Sequence, residues 1–278
     1  MKITPYSLIA LVLLAFSIGS CGSKKVSPND ANSSIIDSNA QQELFVWVEN
    51  ARIRKEPDLN AEVIAEIKGG EKLMLTGKET KNKIKVKLRG VEFEDVWVKV
   101  KTNDEKEGWI FKGMLTENEK WAKDMNDFLI IPGERVGQIK LGSTLKENEE
   151  IFGKQFVSNR GPRYYESEEE MPGFTIFRNT SFEVKCSFND DNLVDRIIVS
   201  SQGSLWHTAD SIKIGMPLRA LVKLNHKPID FEYNPYGDII NFNEGELIKY
   251  NGKMDMLLVD NGKERKIYQV QVFNRNLK

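Results

Sequence analysis

The sequence contains few of the side chains that most often carry chemistry. Its 278 residues include two cysteines and two histidines, so metal centres and activated nucleophiles have few available ligands and bases. Neither charge is in excess, since 40 basic residues accompany 41 acidic ones, whereas nucleic-acid-binding proteins normally show a basic surplus. The apolar run at residues 8–18 is about half of the ~20 residues that a membrane-spanning helix needs. We therefore expect no enzymatic activity, no metal or other cofactor, and no nucleic-acid partner.

The N-terminus has the layout of an export signal. Lys2 precedes the apolar run, and small residues stand directly before Cys21. This arrangement resembles the lipobox of bacterial lipoproteins, which implies a signal peptide at residues 1–20 and acylation of the Cys21 thiol, for example with palmitate. Gly22 follows, where retention at an inner membrane usually requires Asp, so we expect a lipoprotein of the bacterial cell envelope, anchored at the outer membrane. An ordinary cleaved signal with an unrelated cysteine is the alternative.

Residues 21–42 are rich in serine and asparagine and contain few large apolar side chains. This composition does not support a hydrophobic core, so we expect a flexible tether. A chain of this length has a root-mean-square reach of roughly 25 Å. The tether would therefore hold the folded part of the protein away from the bilayer.

From residue 43 onward, β-branched and aromatic residues alternate with turn-forming residues, which predicts short strands. Residues 43–118 contain four ordered motifs: Ala-Arg-Ile-Arg at 51–54, Gly-Gly-Glu-Lys-Leu at 69–73, Trp-Val-Lys-Val at 97–100 and Gly-Trp-Ile at 108–110. These motifs and their order resemble bacterial SH3 (SH3b) domains. The resemblance implies a small SH3-like β-barrel that binds cell-wall peptide or another peptide segment, as in peptidoglycan binding.

Three aromatic residues are the candidate ligand contacts of this barrel. We expect any groove to lie near Trp97, Trp109 and Phe111, because aromatic side chains give a large contact area at a small entropic cost. The alternative is that these side chains belong to the barrel core, since large apolar side chains are mostly buried. The sequence alone leaves both interpretations open.

Residues 81–95 are longer than the usual loop of an SH3b domain and predict a β-hairpin around an Arg-Gly turn at 89–90. One register places apolar pairs on one face and opposite charges on the other: Leu88 with Val91, Val86 with Phe93, Lys87 with Glu92 and Lys85 with Glu94. A slip by one residue would exchange the two faces, so their agreement supports this register. A two-residue loop prefers positive φ at both central positions, which suits Gly90 better than Arg89.

The segment after the barrel predicts a helical linker at residues 119–133. Thr116 and Glu119 have the spacing of a capping box, and the helix would continue to about Leu129. Three apolar residues would then share one helical face: Trp121, Met125 and Phe128.

Residues 134–278 contain an internal repeat. The sequence IKLGSTL at 139–145 matches IKIGMPL at 212–218, at an offset of 73 residues, and a predicted helix and predicted strands follow each copy. We expect tandem α+β repeats at about 134–206 and 207–278, each with a helix on a four-stranded antiparallel meander. This order of elements and the Gly-x-(Thr or Pro)-Leu turn resemble modules of the β-lactamase-inhibitory-protein and outer-membrane assembly lipoprotein type.

Strands within the repeats follow from alternation and turn residues. In the first copy, residues 182–188 alternate between an apolar and a polar face, and Cys186 lies on the apolar face. The second copy predicts strands at four places: 238–242, 247–250, 254–259 and 266–273. A buried Cys186 argues against a nucleophile, and His207 with Asp210 provides only two ligands of a metal site.

An acidic run at residues 166–170 lies beside two tyrosines. It predicts either a solvated loop or a contact surface for a basic partner, because tyrosine is favoured at interfaces and clustered like charges steer encounters. The candidate contact residues are Tyr164, Tyr165, Glu168 and Glu169.

The sequence thus predicts a mainly β protein with α+β parts, in which a small SH3-like β-barrel precedes two α+β repeats. The expected function is that of a non-catalytic cell-envelope lipoprotein, held by a lipid membrane anchor. Its SH3b domain would bind cell-wall peptide or an envelope protein, and its repeats would bind a second partner. The alternative function is an inhibitor or envelope-assembly factor that acts through the repeats.

Overall fold

The chain is mainly β, as the sequence predicts. The computed structural model describes residues 35–37, 42–163, 169–200, 204–224, 231–233, 246–250, 253–260 and 265–273. Contacts group residues 34–278 into one compact unit. Among the described residues, no helix has the length and apolar character needed to cross a membrane.

The SH3-like part contains ten strands, which are β1 (Ile35–Asp37), β2 (Glu43–Val46), β3 (Asn50–Arg54), β4 (Val63–Lys68), β5 (Lys72–Thr80), β6 (Ile84–Leu88), β7 (Val91–Asp95), β8 (Trp97–Lys101), β9 (Glu107–Phe111) and β10 (Leu115–Thr116). A 3-10 helix, Lys112–Met114, connects the last two. The main sheet is antiparallel, in the order β10-β2-β5-β8-β9-β3-β4, with β1 beside β5. Alternate side chains enter a common core, as strand geometry dictates: Val46, Ala51, Ile53, Val100 and Ile110 are fully buried.

Part of the predicted tether is ordered. Ile35–Asp37 pairs antiparallel with residues 78–80 of β5, and the carbonyl of Gln42 accepts a hydrogen bond from the Leu75 N–H at 2.9 Å. The prediction that residues 21–42 are flexible throughout is therefore wrong for these positions. The physical reason is that β2 pairs only with the first residues of β5, which leaves a backbone edge for another strand.

The β6–β7 hairpin confirms the predicted register, with Leu88 opposite Val91 next to the turn. Both turn residues have positive φ, 45° at Arg89 and 89° at Gly90, as a two-residue hairpin loop requires. This conformation is unfavourable for arginine, because its Cβ crowds the backbone. The contacts of the arginine side chain compensate for it.

Arg89 inserts its side chain between the barrel and the first repeat. The guanidinium carbon lies close to four aromatic ring centroids: Phe182 at 5.0 Å, Phe177 at 5.2 Å, Phe128 at 5.7 Å and Trp47 at 5.8 Å. Such contacts between a cation and ring faces are favourable, more so away from water. The rings belong to the barrel, the linker and the first repeat, so one buried cluster joins all three.

The linker helix is shorter than predicted. Helix α1 (Glu119–Asp124) ends before residue 125, and Asn118 rather than Thr116 caps it, by accepting the N–H of the third helical residue at 2.9 Å. The following Leu129–Ile131 is strand β11, so the prediction of a helical linker is wrong in its second half. Pairing with neighbouring strands satisfies the β11 backbone, and this tertiary contact overrides the helical pattern of the sequence.

The described residues of the repeat module form these further elements: β12 (Arg135–Val136), β13 (Ile139–Lys140), α2 (Leu145–Phe152), a 3-10 helix (Lys154–Phe156), β14 (Val157–Ser158), β15 (Gly173–Ile176), β16 (Val184–Phe188), β17 (Val194–Val199), β18 (His207–Thr208), α3 (Leu218–Leu224), β19 (Phe231–Tyr233), β20 (Glu246–Tyr250), β21 (Met254–Asp260) and β22 (Arg265–Phe273). Strands β13-β12-β11-β18 form a small sheet. The remaining strands of the repeat module form an eight-stranded sheet in the order β14-β15-β16-β17-β22-β21-β20-β19.

The eight-stranded sheet consists of two antiparallel meanders, as predicted, and each has four strands. The first runs from β14 to β17 and the second from β19 to β22, and their last strands pair with each other antiparallel. The predicted strand at residues 238–242 lies outside the described residues. The short strands β14, β15 and β19 lacked a clear alternating pattern in the sequence.

Both copies of the matched motif make the same backbone hydrogen bonds to a strand. The Gly142 N–H donates to the Val194 carbonyl, and the Gly215 N–H donates to the Ile267 carbonyl, each at 2.7 Å. In return, the Val194 N–H donates to the Ser143 carbonyl at 2.9 Å, and the Ile267 N–H donates to the Met216 carbonyl at 3.0 Å. The two glycines have φ of 81° and 82°, a conformation that glycine adopts without strain. Three residue positions in each copy thus coincide at the offset of 73 residues that the sequence predicts.

A short helix that Ser143 or Thr144 opens and Gly153 closes is the sequence prediction here, and helix α2 has Thr144 as its N-cap and Gly153 as its C-cap. The Glu147 side chain completes a capping box with Thr144, which the sequence analysis did not predict. In β16, Cys186 is fully buried, in agreement with its predicted position on the apolar face. Ser187, predicted on the solvated face, is also fully buried and donates to the Asp195 carboxylate at 2.7 Å. A buried hydroxyl is tolerated there because it has a hydrogen-bond partner.

We expect the Cys186 thiol to be unreactive in the folded protein. Burial raises its pKa well above the ordinary value, and the nearby Asp195 adds to the effect, so the reactive thiolate is scarce. In a Cys21→Ser variant, labelling with a disulfide reagent should stay slow as the pH rises from 7 to 9, and become rapid in urea. Fast labelling of the native protein at pH 8 would contradict the buried position.

Candidate functional site

A groove lies along the outer side of β3. Asn50, Arg52 and Arg54 alternate along the strand with Ala51 and Ile53, which are fully buried in the barrel core. Because successive side chains of a strand point to opposite faces, the three polar residues lie on the same outer face. The core of the barrel thereby fixes the positions of two arginines.

The groove has a volume of about 380 Å³, within the usual range of small-ligand sites. Besides the β3 residues it is lined by Leu59, Glu66, Trp97, Phe111 and Met114. Leu59 lies in the loop between β3 and β4 and is 49% exposed. The groove thus combines two cations with an accessible apolar contact.

The two arginines are held differently. Arg54 donates from Nη1 to the carbonyl of Ala61 at 2.7 Å, which ties it to the β3–β4 loop. Arg52 donates from Nε to Glu66 at 3.2 Å, and both side chains of this pair are more than half exposed. Exposed ion pairs contribute at most about 1 kcal/mol. A competing carboxylate can therefore replace Glu66 at little cost.

The structure brings together two of the three aromatic residues that the sequence predicts at the groove. Trp97 and Phe111 are directly opposite each other on β8 and β9 and line the groove, although they are only 4% and 1% exposed. Trp109 is 7% exposed, lies opposite Arg54, and is not among the lining residues. All three contribute to the barrel core, and Trp97 and Phe111 also form the wall beneath the arginines.

Sequence reasoning missed the accessible part of the groove. The Ala-Arg-Ile-Arg motif marks the domain in the sequence, and its alternation also indicates two outward arginines on one strand face. Leu59 carries no such signal, because its exposure depends on the path of the β3–β4 loop. The groove chemistry thus rests on Arg52, Arg54 and Leu59 more than on the aromatic residues.

The glycine of the Gly-Trp-Ile motif has a steric role beside the groove. A Cβ atom at Gly108 would lie 2.6 Å from the Arg54 carbonyl oxygen and 2.5 Å from a methyl carbon of Ile64. Real Cβ contacts are not this short, so a larger residue would push β9 away from β3. Gly108 therefore permits the close approach of the strand that carries the two arginines.

The remaining predicted site residues are dispersed. Cys21, Tyr164, Tyr165 and Glu168 lie outside the described residues, whereas Glu169 is described and exposed. His207 is exposed, with its Nδ1 at 2.8 Å from the Leu205 carbonyl oxygen, and Asp210 accepts a hydrogen bond from Thr208. Within the described ranges, no three residues of the types His, Cys, Asp and Glu are grouped as metal ligands.

Comparison with known proteins agrees with the architecture of the barrel. No curated protein matches the sequence. Residues 49–116, which include β3, the groove and β9, match the family model described as bacterial SH3 domain. Domains of this family bind cell-wall peptidoglycan or peptides. Residues 49–116 of this chain are therefore a bacterial SH3 domain.

Proposed function

We propose that this protein is a non-catalytic lipoprotein of the bacterial cell envelope whose SH3 domain binds carboxylate-bearing peptides of the cell wall. The observation that carries the proposal is the pair of arginines, Arg52 and Arg54, on one face of a strand and beside the exposed Leu59. Arginine donates two parallel hydrogen bonds to a carboxylate, which gives both affinity and orientation. Cell-wall peptides carry free carboxylates and small apolar side chains, and both fit this groove.

The rigid placement of the arginines supports the proposal. Both lie on β3, whose inward residues Ala51 and Ile53 are fully buried, so the strand does not need to reorganise for binding. Binding sites on strands lose less conformational entropy than sites on loops. A peptide carboxylate would take the place of Glu66 beside Arg52.

The cellular context of the proposal comes from the N-terminal sequence. The signal-like run at residues 8–18 and the small residues before Cys21 support an exported, acylated protein. Since two or three acyl chains bind a membrane firmly, the SH3 domain would be held near the cell wall. The repeat module would present a surface for a second partner, joined to the SH3 domain through the Arg89 cluster.

The test is co-sedimentation of the lipid-free protein with purified cell-wall sacculi. We expect the double variant Arg52→Ala/Arg54→Ala to bind at least tenfold more weakly, because each lost charge-assisted hydrogen bond contributes about 1.5–3 kcal/mol. Amidation of the peptide carboxylates should weaken binding of the unaltered protein in the same way.

The matched control is Lys83→Ala/Lys87→Ala, which removes the same charge from exposed positions outside the groove. This variant should bind like the unaltered protein. If both double variants lose affinity equally, binding depends only on overall charge, and the groove assignment is wrong. Equal sedimentation of all three proteins would also contradict it.

A further inference from the structure

A second cleft lies outside the SH3 domain, where α1 faces α2, and it has a volume of about 420 Å³. Trp121 of α1 and Ile151 of α2 are its apolar lining residues, and the rest of the lining is polar. The volume is within the roughly 300–1,000 Å³ of small-ligand sites. A cleft of this composition fits a ligand that forms many hydrogen bonds.

The charged side chains of the cleft are largely paired within the protein. Lys120 donates to Asp124 one turn further along α1. Glu147 accepts hydrogen bonds from the backbone N–H of Thr144 at 2.7 Å and from its hydroxyl at 2.9 Å, and these bonds lower the pKa of Glu147. A charged ligand would have to compete with these partners, whereas a neutral ligand uses the remaining lone pairs and N–H groups.

The indole of Trp121 is already fixed in place. Its ring N–H donates to the carbonyl of Ile151 at 2.9 Å, and the ring packs against Trp47 with centroids 5.4 Å apart. Trp121 also lines the cleft, so it provides an ordered apolar surface before any ligand binds. Lys140 and Glu150, both exposed, supply a donor and an acceptor around this face.

We propose that this cleft binds a neutral saccharide, such as an amino-sugar unit of a glycan strand. Each sugar hydroxyl both donates and accepts hydrogen bonds, which matches a lining of amides, ammonium groups and carboxylates. The C–H face of a sugar ring is apolar and matches the face of an indole. A zwitterionic peptide fits less well, because Lys120 already pairs with Asp124, and Glu150 already lies 3.8 Å from the ammonium group of Lys146. None of the SH3 groove residues takes part in this site.

The tryptophans of the protein allow a direct test. Trp47, Trp97, Trp109 and Trp206 are at most 7% exposed, whereas Trp121 is half-buried, so acrylamide quenching of fluorescence reports mainly on Trp121. Titration of the lipid-free protein with soluble N-acetylglucosamine oligomers should protect this tryptophan from acrylamide and shift its emission. The Trp121→Phe variant should lose that response.

A double variant, Lys140→Met/Glu150→Gln, should weaken binding of the oligomer about fivefold to tenfold. Both side chains are exposed, so the fold should be retained. The matched control Lys154→Met removes a charge that is 83% exposed and lies outside the cleft, and it should bind like the unaltered protein.

Three outcomes would overturn the proposal: no fluorescence response at millimolar sugar, a response that persists in Trp121→Phe, or a stronger response to a zwitterionic tetrapeptide than to the sugar. The Arg52→Ala/Arg54→Ala variant separates this site from the SH3 groove. It should bind the sugar normally even though its peptide binding is lost, so the two proposals can fail independently.

Discussion

Replacing Arg89 with alanine is expected to lower the free energy of unfolding by about 3–5 kcal/mol, the usual cost of removing one partner from a buried charge pair. The Arg89 side chain is 1% exposed. It donates to the carbonyl of Met125 at 2.6 Å and to the side-chain oxygen of Asn126 at 3.0 Å, and it pairs with Glu49 at 3.4 Å. The alanine variant would leave these acceptors without their donor and the surrounding rings without their cation.

Burial in the folded protein disfavours the charged form of Arg89. Burial lowers its pKa to about 10, and the attraction of Glu49 opposes this only in part. The side chain is nevertheless protonated at neutral pH, since its pKa remains well above 7. Arg89→Lys keeps the charge but not the planar fork of donors, so we expect it to recover only part of the lost stability.

Urea unfolding of the variants measures this effect. Arg52→Ala is the matched control, because Arg52 is also an arginine paired with a glutamate but its side chain is 59% exposed. Its expected loss is below about 1 kcal/mol. If Arg89→Ala loses no more than this control, the buried cluster does not hold the barrel and the first repeat together.

Replacing Trp47 with alanine should also cost about 3–5 kcal/mol, as is typical for a buried tryptophan or phenylalanine. Trp47 is 2% exposed, and its ring N–H donates to the Gly113 carbonyl at 2.8 Å. The ring packs against Phe93 at 5.5 Å and Phe156 at 5.6 Å between centroids. Because Phe156 belongs to the first repeat, we expect the loss to reach beyond the SH3 domain.

Thermal and urea unfolding, followed by circular dichroism, measure the loss at Trp47. Leu59→Ala provides the control within the same domain, since Leu59 is 49% exposed and its removal should change stability by less than about 0.5 kcal/mol. A Trp47→Ala protein within 1 kcal/mol of the unaltered protein would show that this aromatic cluster is not essential to the core.

Local patterns in the sequence predicted the elements whose partners are near in the chain. The register of the β6–β7 hairpin follows from two faces that agree, and the structure has the same pairs. The capping box of α2 joins Thr144 and Glu147, which are only three residues apart in the chain, so it is a local feature of the kind that a sequence can reveal. The 73-residue repeat is visible in the sequence because both copies have a glycine at the same place. At these positions, Gly142 and Gly215, φ is positive, and glycine adopts this conformation without strain.

Long-range contacts changed the elements that the sequence predicted wrongly. Leu129–Ile131 has a helical pattern but pairs with β12 and β18, and Ile35–Asp37 has a tether-like context but pairs with β5. In each case a strand that is distant in the sequence, β18 for Leu129–Ile131 and β5 for Ile35–Asp37, offers backbone partners that no local pattern reveals. The candidate groove was likewise predicted only in part. The sequence identified its domain, but the exposure of Leu59 depends on how the β3–β4 loop folds.

The sequence by itself determined that this chain is mainly β and that an SH3 domain lies within residues 43–118, where the family model matches residues 49–116. It also predicted the helix and antiparallel meander of each repeat. These features depend on alternation, turn residues and spacing, which are properties of neighbouring residues. Only the tertiary structure decided that Arg89 is buried among four rings, and that residues of α1, α2 and the segment between them line one cleft. Both depend on residues brought together from distant parts of the chain, where burial and backbone pairing outweigh local preference.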